Sequence, residues 1–307
     1  MTATKQHILN TLAYFDIFHY PLLKEEMIRF HGSAQETDIF DEALLSLVED
    51  QYVFRLDEFY SLHNDKSLAE RRRKGNQLAA EQMKTAVKAA HILSGFPFVK
   101  GLAISGSLSK NFCTEKADID FFIITSANRL WIARTIMHLY KKFTFLTGKQ
   151  KWFCMNYYVD EACLEIEEKN VFTAVEIATL LPMQGKSSLE HFKQANKWIR
   201  AYFPAGAYGT SQVKDIKAGP GRRFVEACFN NGLGNWIDNR LMRITQKRWE
   251  RKEQKKMKNE HGFTLGMLVD KHYSKPNPEY FQFKVLEKYR AKLSGLPTLV
   301  DVSAKAV

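Results

Sequence analysis

No apolar run in this 307-residue chain approaches the length a membrane-spanning helix needs, so no membrane partner is expected. The opening Met1-Thr2-Ala3-Thr4-Lys5-Gln6-His7 lacks the apolar core of a signal peptide. Cysteine is sparse: Cys113, Cys154, Cys163 and Cys228 are scattered and form no close metal-ligand pair. A reduced, cytoplasmic setting is the expectation, with Cys154 a buried thiol inside a predicted strand. No internal repeat is visible. Charge is not lacking, and one sign dominates: the formal net charge is +11, which favours phosphate-bearing partners without naming one. Much of the excess is local, in Arg71-Arg72-Arg73-Lys74 and in Arg240 to Lys258, where nine basic residues face two glutamates.

What is present is concentrated in one stretch. Ile104-Ser105-Gly106-Ser107-Leu108-Ser109-Lys110 precedes Ala117-Asp118-Ile119-Asp120-Phe121-Phe122-Ile123-Ile124. Side chains alternate along a strand, so Asp118 and Asp120 are expected on one face. Two convergent carboxylates suit a hard divalent cation whose other ligands are water and phosphate oxygens. Ser107 is expected to open a turn into a helix whose free N–H groups would receive phosphates. The apolar context agrees, since Val99 to Ile104 reads as a strand into the loop and Phe121 to Ile124 as a buried continuation. Aspartates entering such a run are costly to bury without a cation or donors.

Gly-Ser, a spacer, then Asp-x-Asp in an apolar strand resembles the nucleotidyltransferase superfamily with the DNA polymerase β-like fold. The likeness covers about residues 102–124, more loosely to Asp160. Tyr14-Phe15-Asp16-Ile17-Phe18 and Asn156-Tyr157-Tyr158 also resemble bacterial predicted nucleotidyltransferases that carry an N-terminal winged helix. The resemblance implies two-metal phosphoryl transfer with Mg2+ or Mn2+, in which Asp118 and Asp120 hold the ions. Ser105, Gly106 and Ser107 would bind phosphate oxygens of an NTP, with Lys110 neutralising charge. The acceptor, a small molecule, a protein or an RNA, is left open.

The chain departs from the superfamily pattern where a third carboxylate is usual. The corresponding polar position is Asn156, expected on one face with Cys154 and Tyr158; its amide oxygen can ligate a cation but cannot act as a base. Asp160 shares that parity but lies too far along the strand. The alternative to an enzyme is therefore a catalytically impaired nucleotide-sensing or protein-binding module that keeps the phosphate site. Glu176, in an otherwise apolar helical stretch, needs a partner and is a candidate to face the cleft.

The expected fold class is α+β: a small mixed sheet with helices on one side (65–185), a winged-helix-like unit (1–64) and a helical C-terminal region (186–307). In the first unit, helices over 6–18, 22–30 and 37–50 precede a hairpin around Leu56-Asp57. Residues 36–50 carry Glu36, Asp38, Asp41, Glu42, Glu49 and Asp50 and no Lys or Arg. A helix entering a phosphate-lined groove should be positive, so a protein partner is expected there rather than nucleic acid. Arg71–Arg73, early in a long helix from 65 to 94, read as a solvated face. Segment 204–221, rich in Gly and Pro, reads as a linker or mobile loop.

Overall fold

The protein is described by a computed structural model over residues 2–31, 37–204, 209–258, 266–276 and 281–297. Glu36 and residues 205–208 of the Gly- and Pro-rich segment lie outside these. In chain order the first unit contains α1 (Ala3–Asp16), β1 (Leu22–Leu23), α2 (Lys24–His31), α3 (Thr37–Glu49), β2 (Phe54–Leu56) and β3 (Phe59–Ser61). Apolar residues at helical spacing, among them Ile8, Leu12, Met27, Phe40 and Leu47, are buried together. β2 and β3 pair antiparallel about Asp57, whose φ of +57° makes the tight turn. β1 joins them to give the order β1-β3-β2.

The chain continues through α4 (Lys66–Ser94), β4 (Val99–Ile104), β5 (Asp120–Thr125), α5 (Leu130–Thr144), β6 (Cys154–Asp160), α6 (Val171–Ala178) and β7 (Leu181–Gln184). Then come α7 (Lys186–Ala195), α8 (Pro220–Phe229), α9 (Gly232–Gln254), β8 (Met267–Val269), β9 (Tyr273–Pro276) and α10 (Phe281–Ser294). Proline opens α8 at its first turn, where its missing N–H costs nothing. A six-stranded mixed sheet has the order β7-β4-β5-β6-β9-β8. Among the described strands only β5 and β6 pair in parallel, joined through α5.

The fold is α+β as expected, but helices cover both faces of this sheet rather than one. Leu102, Ile104, Phe121 and Ile123 cluster with Ala86 and Leu93 of α4 and Trp131 of α5. Their neighbours of opposite parity, Ala103, Phe122 and Ile124, cluster with Leu189 and Phe192 of α7 and Ala174 of α6. The Phe122 and Phe192 rings stand 4.7 Å apart. The uninterrupted apolar run of β5 is the cause, since both parities must be buried. The region beyond 186 also differs from expectation: it is not wholly helical, because β8 and β9 extend the sheet from β6.

Arg71 is exposed as expected, but Arg72 is buried and Arg73 half-buried, and all three tie α4 to the first unit. Arg72 is buried, meets Glu26 at 2.7 Å, donates to the Pro21 carbonyl at 2.8 Å and lies 3.8 Å over the Tyr20 ring. Arg73 meets Asp57 at 2.6 Å and Glu58 at 2.5 Å in the β2–β3 turn. Arg71 donates to the His19 carbonyl at 2.6 Å. A planar guanidinium fork can satisfy a carboxylate and a carbonyl together, which makes such burial tolerable. From the other side, Tyr289 of α10 packs on Tyr14 with ring centres 5.7 Å apart.

Candidate functional site

The loop after β4 and the chain entering β5 meet at the end of the sheet where β6 begins. The Ser105 N–H donates to the Asp120 carbonyl at 2.9 Å, so Ser105 is held by its backbone. Gly106 follows with φ +68°, in the left-handed region that favours glycine. A Cβ there would stand 2.6 Å from Asp120 Oδ2. Ser107 is exposed and begins a three-residue 3-10 turn, Leu108–Lys110, instead of the expected helix. Asn111 closes that turn at φ +54°, a conformation asparagine tolerates better than most residues. So short a turn supplies no helix dipole to phosphates; the loop is fastened by Ser109 Oγ and Lys110 Nζ, both donating to the Gly106 carbonyl.

Asp118 precedes β5 rather than lying in it, and Asp120 is the first strand residue. Asp118 Oδ1 is buried without a hydrogen-bond partner. Asp120 Oδ1 accepts from Asn156 Nδ2 at 2.5 Å. Burial pushes the Asp120 carboxyl up to about 6, with the negative charges of Asp118 and Glu176 adding and a Cys154 hydrogen bond opposing. Cys154 is half-buried, and its thiol is pushed up chiefly by desolvation.

Asn156 reaches Asp120 through a β-bulge. Phe121 pairs with Met155, but Phe122 pairs with Tyr157, so Asn156 is the extra residue. The bulge resets the parity of β6. Tyr158 therefore lies on the α4–α5 face, not beside Asn156 as strict alternation had it. Asn156 presents its amide nitrogen to Asp120, while its oxygen accepts from the Cys154 thiol at 3.2 Å. Asp160 is remote and structural: fully buried, it accepts from the Asn128 N–H at 2.7 Å and meets His272 Nδ1 at 3.0 Å.

Glu176 is the residue the sequence marked only by its apolar surroundings. From α6 it pairs with Lys110 Nζ at 2.9 Å, bringing a further carboxylate to the Gly106 loop. Beside the loop is a cavity of about 380 Å³, bordered by Gly106, Ser107, Lys110 and Glu176 on one side and by aromatic residues of α1 on the other. The Tyr20 hydroxyl donates to the Lys110 carbonyl and links the first unit to this loop.

Among the described residues no group of three or more His, Cys, Asp or Glu side chains is arranged to hold a metal ion. The donors that fit one are Asp118, with its unpartnered buried oxygen, and Asp120 beside it. No protein-family model, no curated protein and no solved structure matches this chain.

Proposed function

We propose that the chain is a metal-dependent nucleotidyltransferase that transfers a nucleoside monophosphate from an NTP to an acceptor and releases pyrophosphate. The observation that carries this reading is the orphaned Asp118 Oδ1 beside the Asp120 carboxylate, at a loop whose glycine touches the same carboxylate. Two negative groups held together at a sheet end, one raised to about 6, are unfavourable unless something positive joins them. Asp118 and Asp120 would hold Mg2+ or Mn2+, which when bound would neutralise the triphosphate and activate the attacking oxygen.

Around that pair the chain's own residues position the substrate. Gly106 leaves room for close approach, the exposed Ser107 hydroxyl is free to donate to a terminal phosphate oxygen, and Lys110 supplies charge a few ångströms from the loop carbonyl. The acceptor oxygen forms a bond to the α-phosphorus as the bond to the β-phosphate bridge breaks. Pyrophosphate leaves with the electron pair, and the acceptor proton passes to solvent. Asn156, an amide, orients Asp120 and takes no proton.

A second reading rests on that same amide. With Asn156 where relatives of the resembled superfamily would place an acid, the chain is a nucleotide-sensing module that keeps the phosphate site. In either case the first unit is a winged-helix-like docking module. Its α3 exposes Asp38, Asp41, Glu42 and Glu49, which favours a basic protein partner over nucleic acid. A cytoplasmic location is part of the proposal. Incubation with each α-labelled NTP, Mg2+ or Mn2+ and a cell lysate separates the readings. Label transfer with pyrophosphate release, lost in Asp118→Asn, supports the enzyme; saturable NTP binding without transfer supports the sensor.

A further inference from the structure

The cavity of about 380 Å³ between the first unit and the Gly106 loop is unlike a phosphate cradle. Its size falls toward the lower end of the roughly 300–1,000 Å³ of small-molecule sites. Tyr14, Phe15, Phe18 and Tyr20 approach it from the first unit, and Phe112 from the loop side. Phe172 and Phe281 close it from α6 and α10, their ring centres 6.0 Å apart. Four parts of the chain distant in sequence thus converge to make one aromatic chamber.

The polar groups bordering it are unequally committed. The Tyr20 hydroxyl is used by the Lys110 carbonyl, and Lys110 by Glu176 and the Gly106 carbonyl. The Tyr14 hydroxyl, buried without a described partner, leaves one polar contact for the body of a bound molecule. Arg71 differs. Its described partners are the Phe18 and His19 carbonyls and the Phe112 ring, 4.7 Å below the guanidinium, and none of them carries a negative charge. It is exposed, which puts a cation at the open mouth of an apolar chamber.

We infer that the cavity binds a small amphipathic anion, its apolar body among the rings and its anionic head group at Arg71. A carboxylate or sulfonate there gains a charge-assisted, bidentate-capable partner, while the body gains burial against aromatic faces. The cavity and Asp120 share Gly106 as a wall, so a bound molecule is the acceptor in the proposed transfer; that role rests on the nucleotidyl-transfer reading, whereas binding does not.

The test titrates the purified full chain with anilinonaphthalene sulfonate and with its uncharged counterpart phenylnaphthylamine. The expected result is one saturable site for the sulfonate. Arg71→Gln should weaken it at least ~10-fold with little effect on the neutral probe, and Arg71→Lys should restore most of the loss. Phe172→Trp, which narrows the chamber, should weaken binding of both probes while circular dichroism shows a folded protein. Asp118→Asn with Asp120→Asn should leave probe binding intact, and a wild type that binds the probes yet transfers no nucleotide would sink the acceptor role and spare the site. The inference is overturned if the wild type binds neither probe, or if both probes bind folded Phe172→Trp and Arg71→Gln as they bind the wild type.

Discussion

Gly106 and Asp120 are in such close contact that a single added methyl group on the glycine would stand 2.6 Å from the Asp120 carboxylate oxygen. Glycine is required twice over, by that approach and by a φ of +68°. Gly106→Ala should therefore lower stability by about 1–2 kcal/mol from backbone strain. It should also weaken Mg–NTP binding further than that loss accounts for, because the carboxylate must move. Urea melts paired with calorimetry check this; unchanged affinity in the folded variant would remove the loop from the site.

Arg72 makes a second prediction, about how the first unit is held. Removing one partner of a buried pair strands the other, so Arg72→Leu should cost about 3–5 kcal/mol in urea unfolding. Arg72→Lys should recover little, since an ammonium cannot hold Glu26 and the Pro21 carbonyl in one fork. A loss below ~1 kcal/mol for Arg72→Leu, the range of exposed pairs, would contradict its role as the tie between α4 and the first unit.

Stability without added metal should depend on pH through Asp120. Its carboxyl lies at about 6 when folded and near 3.8 otherwise. Between those values the folded chain binds more protons than the unfolded one. Stability therefore falls as pH rises from about 4 to 6 and then levels off, by on the order of 2–3 kcal/mol. Asp238, also raised to about 6 by burial, adds a fall of the same sign, so the test is the difference from Asp120→Asn. In that variant part of the fall should vanish. Parallel melts in EDTA from pH 4 to 8 measure it; identical pH profiles would refute the assignment.

What the sequence disclosed was local. The Gly-Ser loop and Asp-x-Asp lie within sixteen positions, and the apolar runs of β4 and β5, which pair, bring them to one sheet end. What escaped depended on partners far along the chain. Arg72 looks solvated until Glu26, 46 residues earlier, is beside it. The sequence singled out Asn156, but a bulge rather than strict alternation delivers it to Asp120, and one extra residue moves Tyr158 to the other face. β8 and β9 are short and gain their stability from pairing with each other and, through β9, with β6, which no local pattern announces. Glu176 did carry a signal, since a carboxylate in an apolar helix needs a partner, and Lys110 is that partner.

Asn156→Asp tests whether that amide marks a vacated acid. Without metal the added charge beside Asp120 should destabilise the fold and drive a carboxyl pKa of the pair upward. With Mn2+ the penalty should reverse, so metal should raise the melting temperature more in the variant than in the wild type. An equal shift in both proteins would mean that Asn156 does not face the cation.

The account's central claim is that Asp118 and Asp120 together form the metal–nucleotide site. The measurement that bears on it most directly is calorimetric titration of a non-hydrolysable NTP analogue, with and without Mg2+, into the wild type and into the Asp118→Asn, Asp120→Asn double variant. The account predicts metal-dependent binding to the wild type and a folded double variant with that dependence abolished. Equal magnesium-dependent affinity in the two proteins would contradict it.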